Sequence, residues 1–159
     1  MRMETLMNYF LLTWKPELGS YTAEQFNELK IILRSNGSVK TPWSMRASEV
    51  NIGDGVILFR QGKVTGLYGF GKVTGSEEII AKDGSRKFEV TFYNLRDSID
   101  QPFFSKKELI DSGIKATLLN SQASGHGALP QSQVDVLEEF FALRKKPGLL
   151  DLCGHYCLQ

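Results

Sequence analysis

The chain is poor in the residues that most often carry chemistry. It holds two histidines and two cysteines in 159 residues. Cys153 and Cys157 lie near the C-terminus and cannot build a disulfide scaffold, so a reducing, cytoplasmic setting is the simpler expectation. With His155 they offer three soft ligands within five residues. A structural zinc takes four ligands, usually as two separated pairs, and no second pair exists. Residues 147–159 are therefore expected to be a tail appended to one domain over residues 1–146, with no metal and no cofactor. His126 stands in a polar loop, outside any nucleophile elbow, and reads as solvated. Phosphate-binding loops are missing too. The glycines of residues 66–71 (GLYGFG) have a different spacing and fall inside a strand pattern. Glu77-Glu78 and Glu138-Glu139 are adjacent acids of a solvated face. These absences argue against an enzyme. A hydrolase or nuclease acting through His126 stays the third choice, conditional on a carboxylate meeting it in a cleft.

Other absences bound the setting. No apolar run approaches the ~20 residues needed to span a bilayer, so no membrane partner is expected. The N-terminal apolar run lacks a small-residue cleavage site and soon meets Lys15-Pro16, so it reads as a strand rather than a signal peptide. No repeat, low-complexity block or linker divides the chain. Charge of one sign is also lacking. The formal net charge is +1, so contact with nucleic acid would need a local basic face.

What is present is strand alternation and helix punctuation. Asn8 to Trp14 is apolar on both faces, which suits a central strand. Thr22 to Gln25 has capping-box spacing, and Phe26, Leu29, Ile32 and Leu33 share one face, predicting a helix from Thr22 to about Ser35 closed by Asn36-Gly37. Val39 to Ser48 reads as an irregular polar connector, in which Trp43 needs a reason. Gly53-Asp54-Gly55 is a turn. Val56 to Gln61 is a strand turning polar at its end. Thr65 to Thr74 is a strand whose glycines suggest a bulge or close approach. Glu77 to Ala81 suggests another short strand, Lys82 to Ser85 a turn, and Phe88 to Tyr93 a half-buried strand. Ser105 to Glu108 repeats the capping box, with Phe104 and Leu109 placed as a hydrophobic staple, in a helix ending at Gly113. Asn120 to Gly127 is a polar loop, and Pro130 starts a helix carrying Val134, Leu137, Phe140 and Phe141. The sum is a strongly curved sheet or partly open barrel with three peripheral helices.

A base-reading pocket needs a flat π-surface and a few fixed donors and acceptors. Trp43 and Phe59 could stack. Ser44, Gln61 and Asn120 could read an edge, and Arg60 could take a phosphate or carbonyl. The competing reading makes Trp43 a plug and Phe59 core, and spacing leaves both open.

Thr13-Trp14, then Trp43-Ser44, then residues 52–62 (IGDGVILFRQG), then Gly71-Lys72-Val73-Thr74, then residues 120–125 (NSQASG) followed by Pro130 and a helix, occur in that order. The series resembles the EVE domain of the PUA-like superfamily, nearest to the versions fused to HNH nucleases in modification-dependent restriction systems. It covers about residues 8–143. The resemblance implies an α+β, PUA-like curled β-barrel of about five to six strands with peripheral helices. It implies a non-catalytic module whose pocket receives a flipped, modified base. The partner would be DNA, with modified cytosine favoured, or RNA, as in the related YTH domains. By position, Trp43 would stack, with Trp14 at the floor or rim. Ser44, Phe59, Arg60, Gln61 and Gly62 would line the pocket, and Asn120, Gln122, Ser124 and Gly125 would close it. Pro42 stands where the close family has Arg, which removes a nearby phosphate contact. No HNH motif follows, so a separately encoded effector nuclease becomes a possible partner. The alternative is a protein- or small-molecule-interaction module on the same fold.

Overall fold

Three backbone devices shape the described part of the chain: a long bulged strand, a one-glycine seam and a tail that docks. The structure is a computed structural model. It describes residues 7–18, 22–80, 86–120, 125 and 127–154, with only the backbone for 18 and 76–80. In chain order the elements are strand β1 (Tyr9–Trp14), a 3-10 turn (Pro16–Leu18), helix α1 (Ala23–Asn36), and strands β2 (Val39–Met45), β3 (Gly55–Arg60), β4 (Gly66–Ile80), β5 (Arg86–Leu95) and β6 (Phe104–Ser105). Helices α2 (Lys106–Asp111), α3 (Ala116–Leu119), α4 (Gln131–Leu143) and α5 (Leu149–Leu152) follow.

The helix ends obey local chemistry. The Thr22 hydroxyl accepts from the Gln25 amide while the Gln25 side chain accepts from the Thr22 amide, and Gly37 closes α1 at φ 80°. Ser105 and Glu108 build the same box on α2. Phe104 and Leu109 of the expected staple are both buried in one cluster.

The strands form a curled mixed sheet in the order β1-β3-β4-β5-β2, with β6 added to β4. β1 and β3 run parallel. The other pairs are antiparallel. Three expectations change here. The supposed connector at 39–48 is strand β2, with Val39, Thr41, Trp43 and Met45 buried and the residues between them exposed. Pro42 disguised it, and prolines are tolerated because β2 is an edge strand. Asn8 to Trp14 is no central strand. It is the opposite edge, buried because other segments cover it. The two strands expected over 65–81 are one, β4, bent by register shifts rather than broken. The Lys82–Ser85 turn lies outside the described residues.

Between β3 and β4, Leu58 faces Gly69 and Phe59 faces Leu67, so Tyr68 is an extra residue. The bulge turns Tyr68 to the same side as Leu58. At Gly71 a Cβ would stand 2.2 Å from the Thr91 carbonyl oxygen, so β4 and β5 approach there only because the side chain is missing.

Two apolar cores result. The inner one takes residues from all five long strands, including Phe10, Leu12 and Trp14 of β1 and Val39, Trp43 and Met45 of β2. Both edges can share one cluster only because the sheet curls. Phe26 of α1 caps one end. The outer core lies between the β1-β3-β4 face and α2–α5.

The tail expected as an appendage docks into that outer core as far as it is described. Leu149, Leu152 and Cys153 are buried. Asn94 Nδ2 donates to the Leu152 carbonyl at 2.9 Å, and the Leu149 amide donates to Glu138 Oε1 at 2.6 Å. Cys153 Sγ approaches the Val56 carbonyl at 3.6 Å. Burial pushes the Cys153 thiol up from near 9 to about 12, and burial likewise raises Tyr9.

Gly71→Ala is expected to lower stability by about 2–3 kcal/mol through overpacking against backbone. Gly127→Ala, with open space around its Cβ, should stay within about 0.5 kcal/mol. Urea midpoints compare the two. The raised Cys153 and Tyr9 values favour the neutral groups in the fold. Their stabilisation is complete below the ordinary values and is lost as pH rises through the folded ones. Stability should therefore fall above about pH 9 through Cys153 and above about pH 10 through Tyr9, by roughly 1.4 kcal/mol per pH unit for each group. Cys153→Ala should flatten that alkaline limb in urea titrations.

Candidate functional site

The residues singled out by sequence divide among three places. The first is the capped end of the inner core. Trp14 is 3% exposed. Its ring lies 4.9 Å from Phe26 and edge-on to Tyr68 at 5.7 Å. Arg60 is buried beside it, its guanidinium carbon 5.8 Å from the Trp14 ring and 5.7 Å from that of Tyr68. Nη2 donates to Glu17 Oε1 at 3.1 Å, and Nη1 donates to the Ile99 carbonyl, which also accepts from the Tyr68 hydroxyl at 2.7 Å. Nε is buried and has no hydrogen-bond partner among the described residues. The neighbouring aromatic faces offset part of that cost. Arg60 is thus a structural hub, bonded to Glu17 and to the Ile99 carbonyl. A buried arginine needs a fixed partner, and Glu17 and Ile99 supply it. Gly62 has φ 97°, and a Cβ there would meet Glu17 Oε2 at 2.8 Å, so it packs on the 15–17 segment.

The second place is the seam between the two sheet edges. Gly125 donates its amide to the Leu11 carbonyl of β1 at 3.0 Å. Its own carbonyl accepts from Arg46 at 3.2 Å and Ala47 at 2.7 Å, just past β2. Farther along, Ala128 bridges Phe10 and the Leu129 amide donates to Tyr9 at 2.8 Å. At the other end of the same loop, Gln61 Nε2 donates to the Leu119 carbonyl at 2.9 Å while its amide donates to Trp14 at 2.6 Å. Asn120 Oδ1 accepts from Lys106 Nζ at 2.5 Å. The loop is therefore anchored beside Gln61 at one end and beside β2 at the other. Gln122, Ser124 and His126 lie outside the described residues, as do His155 and Cys157. Trp43 is on β2, paired with Phe88, edge-on to Phe92 at 6.2 Å and 8% exposed.

The third place holds the residues that strand alternation sends elsewhere. Phe59 is buried in the outer core, on the opposite face from Trp14 and Trp43, and cannot stack with them. Ser44 is exposed on the outward face of β2, behind Trp43. Odd and even positions of a strand project to opposite sides, so adjacent residues in sequence were never on one wall. A small apolar cavity of about 10 Å³ lies in the outer core among Leu11, Leu67, Leu109, Leu119 and Leu137. It has room for roughly one water, far less than a base.

Sequence reading missed Arg86. It opens β5 opposite Met45, stacks over Phe88 at 5.6 Å, and donates from Nη2 to the carbonyls of Ala47 (3.3 Å) and Ser48 (2.8 Å). Only the β2–β5 register reveals it. Among the described residues no three of His, Cys, Asp and Glu gather where they could hold a metal, and no helix is long and apolar enough to cross a membrane. No family model, curated protein or solved structure matches the chain.

Arg60→Ala is expected to cost about 3 kcal/mol or more, because it strips the pairing from the capped end. The Glu17 carboxyl is held below its ordinary value by its own backbone amide and by Arg60. That stabilisation is present above the ordinary carboxylate range and is lost as pH falls. Glu17→Gln should therefore weaken the acid limb of a stability–pH profile, measured by thermal melts.

Proposed function

We propose that the chain is a non-catalytic nucleic-acid-binding module of the PUA-like kind, which takes a flipped and modified base at the seam beside Trp43. One observation carries the reading. Gly125, the described end of the 120–125 segment, bonds Leu11 of β1 and Arg46 and Ala47 just past β2, and so links the two strands that carry the Thr13-Trp14 and Trp43-Ser44 parts of the EVE-like pattern. A base inserted there would lie against the inner aromatic wall of Trp43, Phe88 and Phe92. Main-chain carbonyls and amides around Leu11, Ala47 and Gly125 stand near its edge. The loop at 120–125, tied at Gly125 by three main-chain hydrogen bonds, would have to yield for the base to enter. DNA carrying a modified cytosine is the favoured ligand and RNA the alternative. A separately encoded nuclease would supply cleavage.

A second reading has its own observation. Trp43 is 8% exposed and already fills the inner core with Met45 and Phe92. A ring so placed suits a plugged barrel used as a protein- or small-molecule-interaction module.

Titration separates the two. Oligonucleotides with 5-methylcytosine, 5-hydroxymethylcytosine, N6-methyladenine or no modification are added to native protein and to Trp43→Phe and Trp43→Ala, with thermal melts as the folding control. Base stacking predicts tighter binding to one modified oligonucleotide and a loss of roughly 1–3 kcal/mol in Trp43→Ala. It also predicts partial retention in Trp43→Phe and quenching of tryptophan emission. Negligible and equal binding to all oligonucleotides would sink the base-reader reading and leave the plugged barrel.

A further inference from the structure

The inward face of β5 changes character at the first residue of the strand. Phe92, Val90 and Phe88 belong to the inner core. The next inward position is Arg86, opposite Met45 of β2 and half-buried. The aromatic wall beside Trp43 therefore ends in a cation. Three contacts hold it. Its guanidinium carbon lies 5.6 Å from the Phe88 ring centre, and Nη2 donates to the carbonyls of Ala47 at 3.3 Å and Ser48 at 2.8 Å. Ala47 also gives its amide to the Gly125 carbonyl at 2.7 Å. Arg86 and the seam thus share one anchor.

Arg86 differs from the buried Arg60 in two ways. Arg60 has Glu17 as its counter-charge. Arg86 meets no carboxylate among the described residues and rests on carbonyl dipoles, which satisfy its direction and not its charge. Arg60 spends both of its Nη groups, whereas Arg86 spends Nη2 alone. A guanidinium has five N–H groups. Those of Nε and Nη1 have no acceptor among the described residues, and they sit on a fork that is already oriented.

The geometry points to Arg86 as the contact for one phosphate, the phosphodiester next to the base that enters the seam. This inference rests on the base-reader reading, which puts the base against Trp43, Phe88 and Phe92. A base lying on that wall leaves its sugar and phosphates at the wall's exposed end, and Arg86 stands there. A guanidinium only donates, and a phosphate oxygen only accepts and brings the missing counter-charge. A base edge presents donors as well as acceptors and brings no charge. The chain as a whole has 19 basic and 18 acidic residues, so no general field draws a nucleic acid in, and a single fixed cation at the site gains in weight. Stacking and the two carbonyls hold the guanidinium before any ligand arrives, which lowers the cost of ordering it.

The test is a cycle that changes the protein and the phosphate together. Labelled single-stranded oligonucleotides, plain or with one 5-methylcytosine, are titrated by fluorescence anisotropy between about 50 and 200 mM salt. In further strands the phosphate on the 5′ or the 3′ side of that position is an uncharged methylphosphonate. The proteins are native, Arg86→Gln, Arg86→Lys and, as a control, Lys87→Gln, whose side chain is on the outward face. Melting temperatures check that each is folded. The contact predicts that one of the two methylphosphonates weakens native binding several-fold and leaves Arg86→Gln unchanged. It also predicts a log-affinity against log-salt slope shallower by about 0.7 in Arg86→Gln, a slope kept in Arg86→Lys, and native behaviour in the control. A brace that only holds residues 47–48 gives no such coupling. Equal losses in native protein and Arg86→Gln on every methylphosphonate strand would overturn the contact and leave base reading standing. Coupling together with equal affinity for methylated and plain strands would keep the contact and refute base reading. Native protein that binds no strand would overturn both.

Discussion

The structure depends on holding together two strand edges that never pair with each other. β1 and β2 end the sheet on opposite sides, and an open curled sheet would leave the inner aromatic side chains facing water. The main chain at Gly125 spans the gap, donating to one edge and accepting from the other. Its φ is 58°, and a Cβ would press on Met45 at 2.9 Å, so the position suits a residue without a side chain. Unpaired edges are a liability in any sheet. Here one edge is met by Gly125, Ala128 and Leu129 and the other carries Pro42. Once the edges are set, the inner cluster from Phe10 to Leu95 becomes one core and not two half-exposed faces.

The ends of the curl are closed by different means. At the Trp14 end, Arg60 draws residues from four segments onto one guanidinium: Glu17, Ile99, Trp14 and Tyr68. Lys30 and Arg34 of α1 hold the neighbouring Asp97 from outside. Aromatic rings satisfy in bulk what hydrogen bonds satisfy in direction. Near Met45 and Ala47 the main chain at Gly125 and the Arg86 side chain, which donates to the Ala47 and Ser48 carbonyls, hold the segment that follows β2.

Local signals in the chain were legible where the physics is local. The two capping boxes, the Gly37 stop, the Pro130 start and the period-two runs of β3 and β5 follow from neighbouring residues only, and the structure has them at those places. β2 was missed because Pro42 and two polar positions masked an alternation that burial makes plain. α3 was missed because four residues carry too little periodicity to read. The tail was misjudged because the partners of Leu149, Leu152 and Asn94 are distant in sequence. Among the candidate site residues, Ser44 and Phe59 fell on the wrong faces. Sequence adjacency suggested shared walls, and strand geometry separates them.

By itself, then, the sequence determined the capped helices, the strands β3 and β5, the curl implied by glycine-rich β4, and the small set of aromatic and polar residues that merit attention. Each is decided by backbone sterics or by the spacing of apolar residues along one element. The tertiary structure alone decided that Arg60 is a buried hub, that Trp43 and Trp14 share one inner core, that Gly125 bonds both sheet edges, and that Lys87 stands opposite Ser44. Those facts depend on strand register and on which edges curl toward each other, and register is a long-range choice that no single stretch of the chain encodes.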